Sequence, residues 1–459
     1  MKNKMYTYLT LFLTILLAAC DSSKDDSNLM DNSKYSQYGE AFDGVPDPRD
    51  AVIYQVNLRA FSEAGTLGAV TARLDDIKAL GANVIYLMPI HPNGIERSAG
   101  GLGSPYSVRD YKAVSPEYGS LQDLQKMVEE AHKRDMAVIM DWVANHTAWD
   151  NAWISEHPEY YLTDGQGEIV SPPGTGWLDV AQLDYDDQGL QDAMIDAMAF
   201  WVYHANIDGF RLDAADFVPE GFWTRAVGTI DQIKDQEMLM LAEGGEQRHF
   251  NSGFDYIFGF NFFGTLKEIQ GGEPASKIQA THGAEYLNVY HADKRVVRYT
   301  SNHDVNLTDG TPMELFGGQQ GALAKFVVAA TMRSIPMIYN GQEIGHGQRL
   351  EFFSKTPIDW SQEDPGILEA YKKIIAFRKG SEAIQRGSYA GHSSDDVVAF
   401  TMKGDGETVL VLSNMRNQAS PYLVPGQLQG TWQDALGQGE QNLGSQLDLP
   451  PNGYLVLKK

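Results

Sequence analysis

The segment "DGFRLDAADF" at 208–217 places an arginine and a carboxylate within one strand-like run. Its apolar residues alternate along the chain, so Arg211 and Asp213 share the opposite face. A buried arginine and carboxylate are costly unless they pair, and one interpretation is an ion pair that joins two layers of the fold. The other interpretation is that the carboxylate does chemistry, and the remaining polar clusters of the chain bear on that choice.

Polar clusters also follow other strand-like runs of the chain. They are "DWVANH" at 141–146, "LAE" at 241–243 and "SNHD" at 301–304. From Asp213, the ends of the next predicted strands at Glu243, Asp304 and Ile338 are spaced as one, two and one units of roughly 31 residues, the average of a (β/α)8 barrel. The sequence therefore predicts an α/β fold, a (β/α)8 TIM barrel, with these clusters at the carboxyl ends of its strands, where such barrels place active sites.

The chain before these clusters also alternates predicted strands with predicted helices. "AVIYQVNL", "NVIYLMPI" and "MAVIMDWV" are predicted as the first three strands, and helical apolar spacing lies between them. The second of these helices should begin at a capping box, "SLQD" at 120–123. The interval from Asp141 to Asp213 exceeds two average units and is rich in tryptophan and tyrosine, so we predict a small domain inserted after strand 3 that walls a cleft.

After the helical segment "GILEAYKKIIAFRKG", apolar residues recur at every second position. "DVVAFTMKGDGETVLVLSN" predicts a hairpin and "NGYLVLKK" a final strand, which indicates a C-terminal antiparallel β-sandwich domain. The predicted ranges are a signal peptide at 1–19, a flexible tether at 20–47, the catalytic barrel at 48–380 with its insert at about 143–187, and the β domain at 381–459.

The amino terminus is typical of an exported protein. Two lysines precede an apolar run that is too short to span a bilayer and ends in "LAAC" at 17–20. This motif resembles the bacterial lipobox, which implies cleavage before Cys20, lipidation of Cys20 and membrane attachment only through that lipid. "SKDD" at 23–26 resembles a surface-export signal of some Gram-negative lipoproteins, although a solvated acidic spacer explains it equally well. The predicted location is the cell envelope, with the outer-membrane surface left open.

The composition excludes some classes of protein. The chain has 61 acidic and 36 basic residues, a formal net charge of -25, and no basic stripe, so nucleic acid is not expected as a partner. Cys20 is the only cysteine, so no internal disulfide can form.

The four clusters, in their order on strands 3, 4, 5 and 7, resemble the α-amylase family of retaining glycoside hydrolases, glycoside hydrolase family 13. The resemblance extends to "PYSVRDY" at 105–111 and "IPMIYNGQE" at 335–343. It implies Asp213 as nucleophile, Glu243 as general acid/base and Asp304 as the carboxylate that holds sugar hydroxyls. A retaining enzyme needs one ionised and one protonated carboxyl, and we expect Arg211 to lower the pKa of Asp213 while crowding raises the pKa of Glu243.

The resemblance also implies substrate contacts for residues around the trio. Tyr106 matches the aromatic residue that stacks on the reacting sugar, and Asp110 the carboxylate that follows it. His146 and His303 match histidines that hydrogen-bond the sugar, and Arg211 would lie beside the nucleophile. The implied partner is an α-glucan or maltooligosaccharide, and no organic cofactor is expected.

A structural calcium ion is a further implication of the resemblance, with Asn145 as one ligand. The short insert motif reads "VAQLD" at 180–184, so Gln182 stands where many members have an acidic ligand. Because calcium gains from anionic oxygens, the sequence leaves this site open.

The expected activity is hydrolysis of α-1,4-glucosidic bonds in starch or maltooligosaccharides through a covalent glycosyl-enzyme intermediate. Three alternatives remain: a transglycosylase, an α-1,6-acting or neopullulanase-like relative, and a glucan-binding lipoprotein without turnover. A metal-dependent barrel hydrolase using His146, His303 and Asp304 is disfavoured by the cation at Arg211.

Overall fold

A closed barrel of eight parallel strands forms the centre of the molecule. The computed structural model describes residues 35–233 and 237–459, so the predicted signal peptide and Cys20 lie outside the described residues. Around the barrel the strand order is β1, β8, β7, β6, β5, β4, β3, β2. The strands are β1 Ile53–Val56, β2 Val84–Leu87, β3 Ala137–Val143, β4 Gly209–Asp213, β5 Leu239–Ala242, β6 Tyr256–Phe258, β7 Arg295–Arg298 and β8 Ser334–Tyr339. The predicted TIM barrel is confirmed.

Helices pack around the outside of this barrel. The longer ones are α1 Leu74–Leu80, α2 Leu121–His132, α3 Gln188–Ala205, α4 Glu220–Ile230, α5 Phe260–Gln270, α6 Lys277–Glu285, α7 Gln319–Thr331 and α8 Pro365–Gly380. Shorter helices are Leu58–Phe61, Leu67–Thr71, Trp153–Glu156, Arg248–Asn251, His303–Thr308, Pro312–Phe316 and Glu382–Arg386. The capping box predicted at Ser120 is confirmed, because its hydroxyl and the Asp123 carboxylate each accept from the other's backbone N–H. No helix in the described part of the chain is both long and apolar enough to traverse a bilayer.

The strand register explains how separate sequence clusters meet. β3 and β4 pair with Asp141 opposite Arg211 and Val143 opposite Asp213. β4 and β5 pair with Leu212 opposite Ala242, so the next residue, Glu243, emerges beside the end of β4. The carboxyl ends of parallel strands lie at one face of a barrel, and this register places the predicted carboxylates there as near neighbours.

The segment between β3 and α3 carries its own short strands. His146–Ala148 pairs antiparallel with Val180–Gln182, and the helix Trp153–Glu156 lies between them in sequence. The aromatic rings of this segment make part of its own core, since Trp153 packs edge-on against Tyr160. Trp177 instead remains 39% exposed and faces the barrel opening beside His146.

The C-terminal region is an antiparallel sheet domain. Its strands are β9 Ser388–Gly391, β10 Val397–Lys403, β11 Thr408–Asn414, β12 Ser420–Leu423, β13 Gly430–Asp434, β14 Glu440–Leu443, β15 Gln446–Leu449 and β16 Tyr454–Lys458. Six strands form one sheet in the order β9, β10, β11, β16, β13, β14, and β12 pairs with β15. The hairpin and the final strand predicted from the sequence are confirmed as β10 with β11 and as β16. Tyr422 on β12 and Trp432 on β13 belong to the apolar core of this domain.

Residues 35–47 have no helix or strand but contact the outer helices. The Tyr38 N–H donates to the Tyr203 carbonyl at 2.7 Å, and the Asn206 amide donates to the Glu40 carbonyl at 2.9 Å. The Phe42 ring stacks on His132 with centroids 4.1 Å apart. The carboxyl-terminal part of the predicted tether therefore lies against the barrel in this structure.

A fully buried lysine joins the barrel to the C-terminal domain. Lys325 on α7 donates to the Met415 carbonyl and the Asn452 side-chain oxygen, both at 3.3 Å. Its neighbour Ala324 accepts from the Ser413 hydroxyl at 2.8 Å, so α7 and β11 are held together by polar contacts. Burial lowers the pKa of Lys325 to about 8 from its usual 10.5.

Lys325→Met is expected to remove a pH dependence of stability in the alkaline range. Between the folded pKa of about 8 and the unfolded value of 10.5, the unfolded chain binds a proton that the folded chain has released, so stability rises with pH. The gain is at most about 3 kcal/mol across that window. Urea unfolding at both ends of the window, for wild type and variant, measures it.

The other groups that titrate at alkaline pH are present in both proteins. The difference between the two curves of unfolding free energy against pH therefore reports the titration of Lys325 alone. Lys403→Met serves as the control, because Lys403 is exposed at the end of β10. Parallel pH curves for wild type and Lys325→Met would contradict the prediction.

Candidate active site

A cavity of about 230 Å³ opens at the carboxyl face of the barrel. Strands β4, β5 and β7 contribute side chains from their ends, and the loop after β2 and the insert after β3 close its sides. Six predicted site residues line it: Tyr106, His146, Asp213, Glu243, His303 and Asp304. The structure thus brings together residues that lie up to about 200 positions apart in the sequence.

Arg211 lies beneath the cavity and is shared by three carboxylates. Its Nη1 donates to Asp141 Oδ1 at 2.6 Å and to Asp213 Oδ1 at 2.8 Å, and its Nη2 forms an ion pair with Glu243. Arg211 and Asp141 have no solvent exposure. Asp141 is a residue that the sequence analysis did not assign to the site, although it begins the cluster "DWVANH".

The electrostatics differ from the sequence expectation at Asp213. Arg211 was expected to lower its pKa, but burial and the nearby Glu243 carboxylate raise the pKa of Asp213 well above its usual range despite Arg211. The reason is that one guanidinium serves Asp141, Asp213 and Glu243 together, so its positive charge does not compensate all three. Asp213 in this setting is therefore more easily protonated than a free aspartate.

Glu243 is positioned by the backbone that follows β4. Its Oε2 accepts from the Ala214 N–H at 2.8 Å, while its own N–H donates to the Leu212 carbonyl at 2.9 Å. Ala214 adopts a left-handed conformation with φ of 47°, which is unusual for a residue with a side chain. This turn follows Asp213 directly and aims the backbone N–H at Glu243.

A chain of hydrogen bonds orients the Tyr106 ring, which is expected to stack on the sugar. The Gln55 amide contacts His303 Nδ1 at 2.7 Å, and His303 Nε2 contacts the Tyr106 hydroxyl at 2.7 Å. An amide N–H only donates, so Nδ1 accepts and Nε2 carries the ring hydrogen. The Tyr106 hydroxyl then donates to Asp141 Oδ2 at 3.0 Å. Gln55 on β1 was not identified from the sequence, because nothing in its strand marks it as polar-facing.

Both site histidines are neutral at ordinary pH. Burial lowers the pKa of His146 to about 4, and burial together with Arg211 lowers the pKa of His303 to about 4. Asp304 lies in the first turn of the helix that His303 begins, where the Asn302 side chain accepts from the Asp304 N–H at 3.0 Å. A neutral imidazole can both donate and accept, which suits contacts to sugar hydroxyls.

Asp110 is not brought to this cavity. Its side chain is exposed, accepts from the Lys112 N–H at 2.9 Å and lies in a separate depression of about 570 Å³ together with Asp150 and Asp196. The substrate contact expected for Asp110 is therefore not supported by the geometry.

The surroundings of Asn145 do not fit a calcium ion. The Gln182 amide nitrogen lies 3.1 Å from Asn145 Oδ1, 3.0 Å from the Asn145 carbonyl and 2.9 Å from the Leu183 carbonyl. An uncharged N–H donor thus occupies the point where these oxygens converge. Within residues 35–233 and 237–459, no group of three or more His, Cys, Asp or Glu is placed to hold a metal, whereas calcium takes six to eight oxygens.

EDTA is expected to leave the melting temperature of the purified protein unchanged. An ion bound at 100 times its dissociation constant would stabilise the fold by about 2.7 kcal/mol, a loss that thermal unfolding would detect on chelation. Gln182→Glu is the matched variant, since it restores an anionic oxygen beside Asn145, and its melting temperature should rise with added calcium. A wild-type protein that loses stability in EDTA and regains it with calcium would overturn this result.

Comparison with known proteins agrees with this geometry. The family model of the α-amylase catalytic domain matches residues 26–167 and 176–361. The chain is 25% identical to α-amylase MalA of Haloarcula japonica over 428 residues, covering 87% of this chain and 61% of that protein. It is 26% identical to an α-1,4-glucan:maltose-1-phosphate maltosyltransferase of Rhodospirillum rubrum over 387 residues, covering 76% and 54%. The chain therefore spans less than two thirds of either relative.

A solved structure shows the same architecture. The crystal structure of an α-amylase from Lactobacillus plantarum superposes with a TM-score of 0.81 at 27% identity, covering 90% of this chain and 99% of that one. The match includes the C-terminal sheet domain as well as the barrel. The family model covers well over half of the sequence, and the chain belongs to the α-amylase family and is an enzyme of its glycosidase class.

Proposed function

We propose that this enzyme hydrolyses α-1,4-glucosidic bonds of starch or maltooligosaccharides with retention of configuration. Asp213 is the nucleophile, Glu243 the general acid/base and Asp304 the carboxylate that holds sugar hydroxyls. The observation that carries the proposal is the convergence of these three carboxyls on one small cavity above Arg211. A retaining glycosidase needs such a pair of adjacent carboxyl groups.

The proposed reaction requires an ionised Asp213 and a protonated Glu243. The Asp213 carboxylate attacks the anomeric carbon while the Glu243 carboxylic acid gives its proton to the departing glycosidic oxygen. Glu243, now a carboxylate, takes a proton from water, and the oxygen of that water displaces Asp213 from the anomeric carbon. Each inversion reverses the other, so the product keeps the α configuration. Arg211 supports both steps because it contacts the carboxylate that is ionised in each.

The lining residues suit a pyranose ring. Tyr106 and His303 stack with centroids 5.3 Å apart, and their polar atoms are held by Asp141 and Gln55, so both rings are rigid before the sugar arrives. His146 stays neutral and can contact sugar hydroxyls, whereas both ring nitrogens of His303 are engaged by Gln55 and Tyr106, so His303 holds the Tyr106 ring in place. Rigid, preoriented contacts cost less entropy on binding than flexible ones.

The alternatives share the same trio and differ in products. A transglycosylase would form glycosyl products longer than its substrate, and an α-1,6-acting or neopullulanase-like enzyme would act on pullulan. A binding protein without turnover is disfavoured, since all three carboxyls are present and lie around one cavity.

Product analysis on soluble starch, pullulan and maltoheptaose tests the proposal, with wild type and Glu243→Gln side by side. We expect new reducing ends from starch and maltoheptaose, lost in the variant. Products longer than maltoheptaose would indicate transfer, and panose from pullulan would indicate the neopullulanase-like activity. Binding without any new reducing end would overturn the catalytic proposal.

We also propose that the mature enzyme is an exported lipoprotein of the cell envelope, anchored through Cys20. The support is the sequence alone, namely the short apolar run that ends in "LAAC". Metabolic labelling with a radioactive fatty acid should mark the wild type and not Cys20→Ser. Equal labelling of both proteins would refute the anchor.

A further inference from the structure

We propose that the cavity is closed on the side opposite Glu243, so that the enzyme binds only the non-reducing end of a chain and releases one glucose at each cut. This inference rests on the proposed hydrolysis of α-1,4-glucans and adds its mode of attack. Three features of the structure carry it: the position of Glu243 in the barrel, a bridged pair of loops across from it, and exposed aromatic rings on its own side.

The strand order fixes which wall faces Glu243. Glu243 follows β5, and in a ring of eight strands β5 lies diametrically across from β1, whose neighbours are β2 and β8. Glu243 protonates the leaving oxygen, so the anomeric carbon of the bound sugar and the departing part of the chain lie on its side. Carbon 4 lies across the pyranose ring from carbon 1. The hydroxyl that would carry the next sugar therefore points toward the loops after β1, β2 and β8.

Two of those loops, the one after β2 and the one after β8, are joined by a backbone hydrogen bond. The Leu102 N–H in the loop after β2 donates to the Phe353 carbonyl in the loop after β8 at 2.8 Å. Gly100 has a φ of 70°, and a Cβ added there would lie 2.7 Å from the Phe353 side chain, so the approach requires glycine. Ala99, Phe352 and Phe353 line the same cavity as the catalytic trio. The wall is thus part of the pocket that holds the reacting sugar.

Arg59, in the short helix after β1, holds this wall in place. It is 1% exposed, and its Nη1 donates to the carbonyls of Gly103 and Phe352, one in each loop. Its Nη2 donates to the Leu102 carbonyl at 3.2 Å, and Glu117 balances its charge at 3.0 Å. A buried, paired guanidinium with this many acceptors fixes both loops, so the closure is a built feature of the fold.

The side of Glu243 is open and aromatic. Trp177 in the insert, Phe217 after β4 and Phe260 after β6 are 39%, 64% and 40% exposed. Trp177 and Phe217 pack edge-on with centroids 6.1 Å apart. The apolar faces of sugar rings pack on such side chains, so the departing part of a glucan chain has a surface to follow on this side.

The test uses maltoheptaose carrying a chromogenic aryl group at its reducing end, with the non-reducing end either free or blocked by a 4,6-O-ethylidene group. Both versions offer the same internal bonds to an endo-acting enzyme. We expect the free substrate to be cleaved at least about 100-fold faster than the blocked one, with glucose as the first sugar released. Equal rates on both would overturn the closed wall, whereas no cleavage of either would overturn the proposed hydrolysis itself.

Phe353→Ala shortens the wall without removing Arg59 or the Leu102 hydrogen bond, which uses the backbone of residue 353. We expect this variant to raise the rate on the blocked substrate at least about tenfold and to release products longer than glucose. Tyr290→Ala is the matched control, because Tyr290 is 86% exposed and lies outside the residues that line the cavity. A Phe353→Ala enzyme that folds, cleaves the free substrate and still rejects the blocked one would contradict the proposal.

Discussion

Asp213→Asn should lower kcat for maltooligosaccharide hydrolysis by roughly 10⁴- to 10⁶-fold, the range seen when a central member of a catalytic group is removed. The amide keeps the size of the side chain but cannot form the ester bond to the anomeric carbon. Arg211 and Glu243 remain beside it, so binding of the sugar should persist and KM should change little. Steady-state kinetics on maltoheptaose measure both parameters.

The variant should also fold at least as well as the wild type. Asp213 is a buried carboxyl whose pKa is raised by burial and by Glu243, so replacing it by a neutral amide relieves repulsion. Its melting temperature should equal or exceed that of wild type. Asp405→Asn, at the exposed turn of the C-terminal hairpin, is the control for the substitution type and should retain full activity.

α-Glucosyl fluoride, an activated substrate, can distinguish the acid role of Glu243 from the nucleophile role of Asp213. Fluoride needs no proton to depart, so Glu243→Gln, expected to lose about 10²- to 10⁴-fold on maltoheptaose, should lose far less on α-glucosyl fluoride. Asp213→Asn should lose its activity on both, because the nucleophile is needed with either leaving group. The opposite pattern would exchange the roles assigned to the two residues.

The sequence was sufficient to predict the barrel, because parallel strands buried on both faces have apolar runs that end at one face in polar residues. Strand β6 does not follow this pattern. It has three residues, Tyr256–Phe258, and no polar cluster at its end, so only the doubled spacing between Glu243 and Asp304 indicated that a strand was present. Its position followed from the regularity of the barrel and not from its own residues.

Site residues whose role depends on their own side-chain type could be predicted from the sequence. Residues whose role depends on contacts with distant parts of the chain could not. The trio, Tyr106 and the two histidines were identified through motifs that resemble those of the α-amylase family, and the structure groups these residues around one cavity. Arg59 and Gln55 were not, because each acts through contacts with loops or strands distant in sequence. The pKa direction of Asp213 was wrong for the same reason, since the sequence does not reveal that three carboxylates share one guanidinium.

Arg211→Met should destabilise the folded protein by about 3 to 5 kcal/mol, the cost of leaving buried charges without their partner. Asp141 and Asp213 lose a hydrogen-bond donor each, and Glu243 loses its ion pair. Burial already raises the pKa of Asp141 and Asp213, and without the cation both bind protons still more tightly in the folded chain than in the unfolded one. In that situation stability falls as pH rises above the usual carboxyl range, so the loss should be larger at about pH 8 than at about pH 5.

Urea unfolding of wild type and variant at the two pH values measures this dependence. Arg386→Met is the matched control: Arg386 pairs with Asp50 at 2.7 Å but is 30% exposed, and such surface pairs contribute about 0 to 1 kcal/mol. The contrast between the two arginines distinguishes burial of charge from mere loss of an ion pair. If Arg211→Met costs no more than Arg386→Met, or costs the same at both pH values, then Arg211 does not compensate the three carboxylates and serves only to orient Asp213.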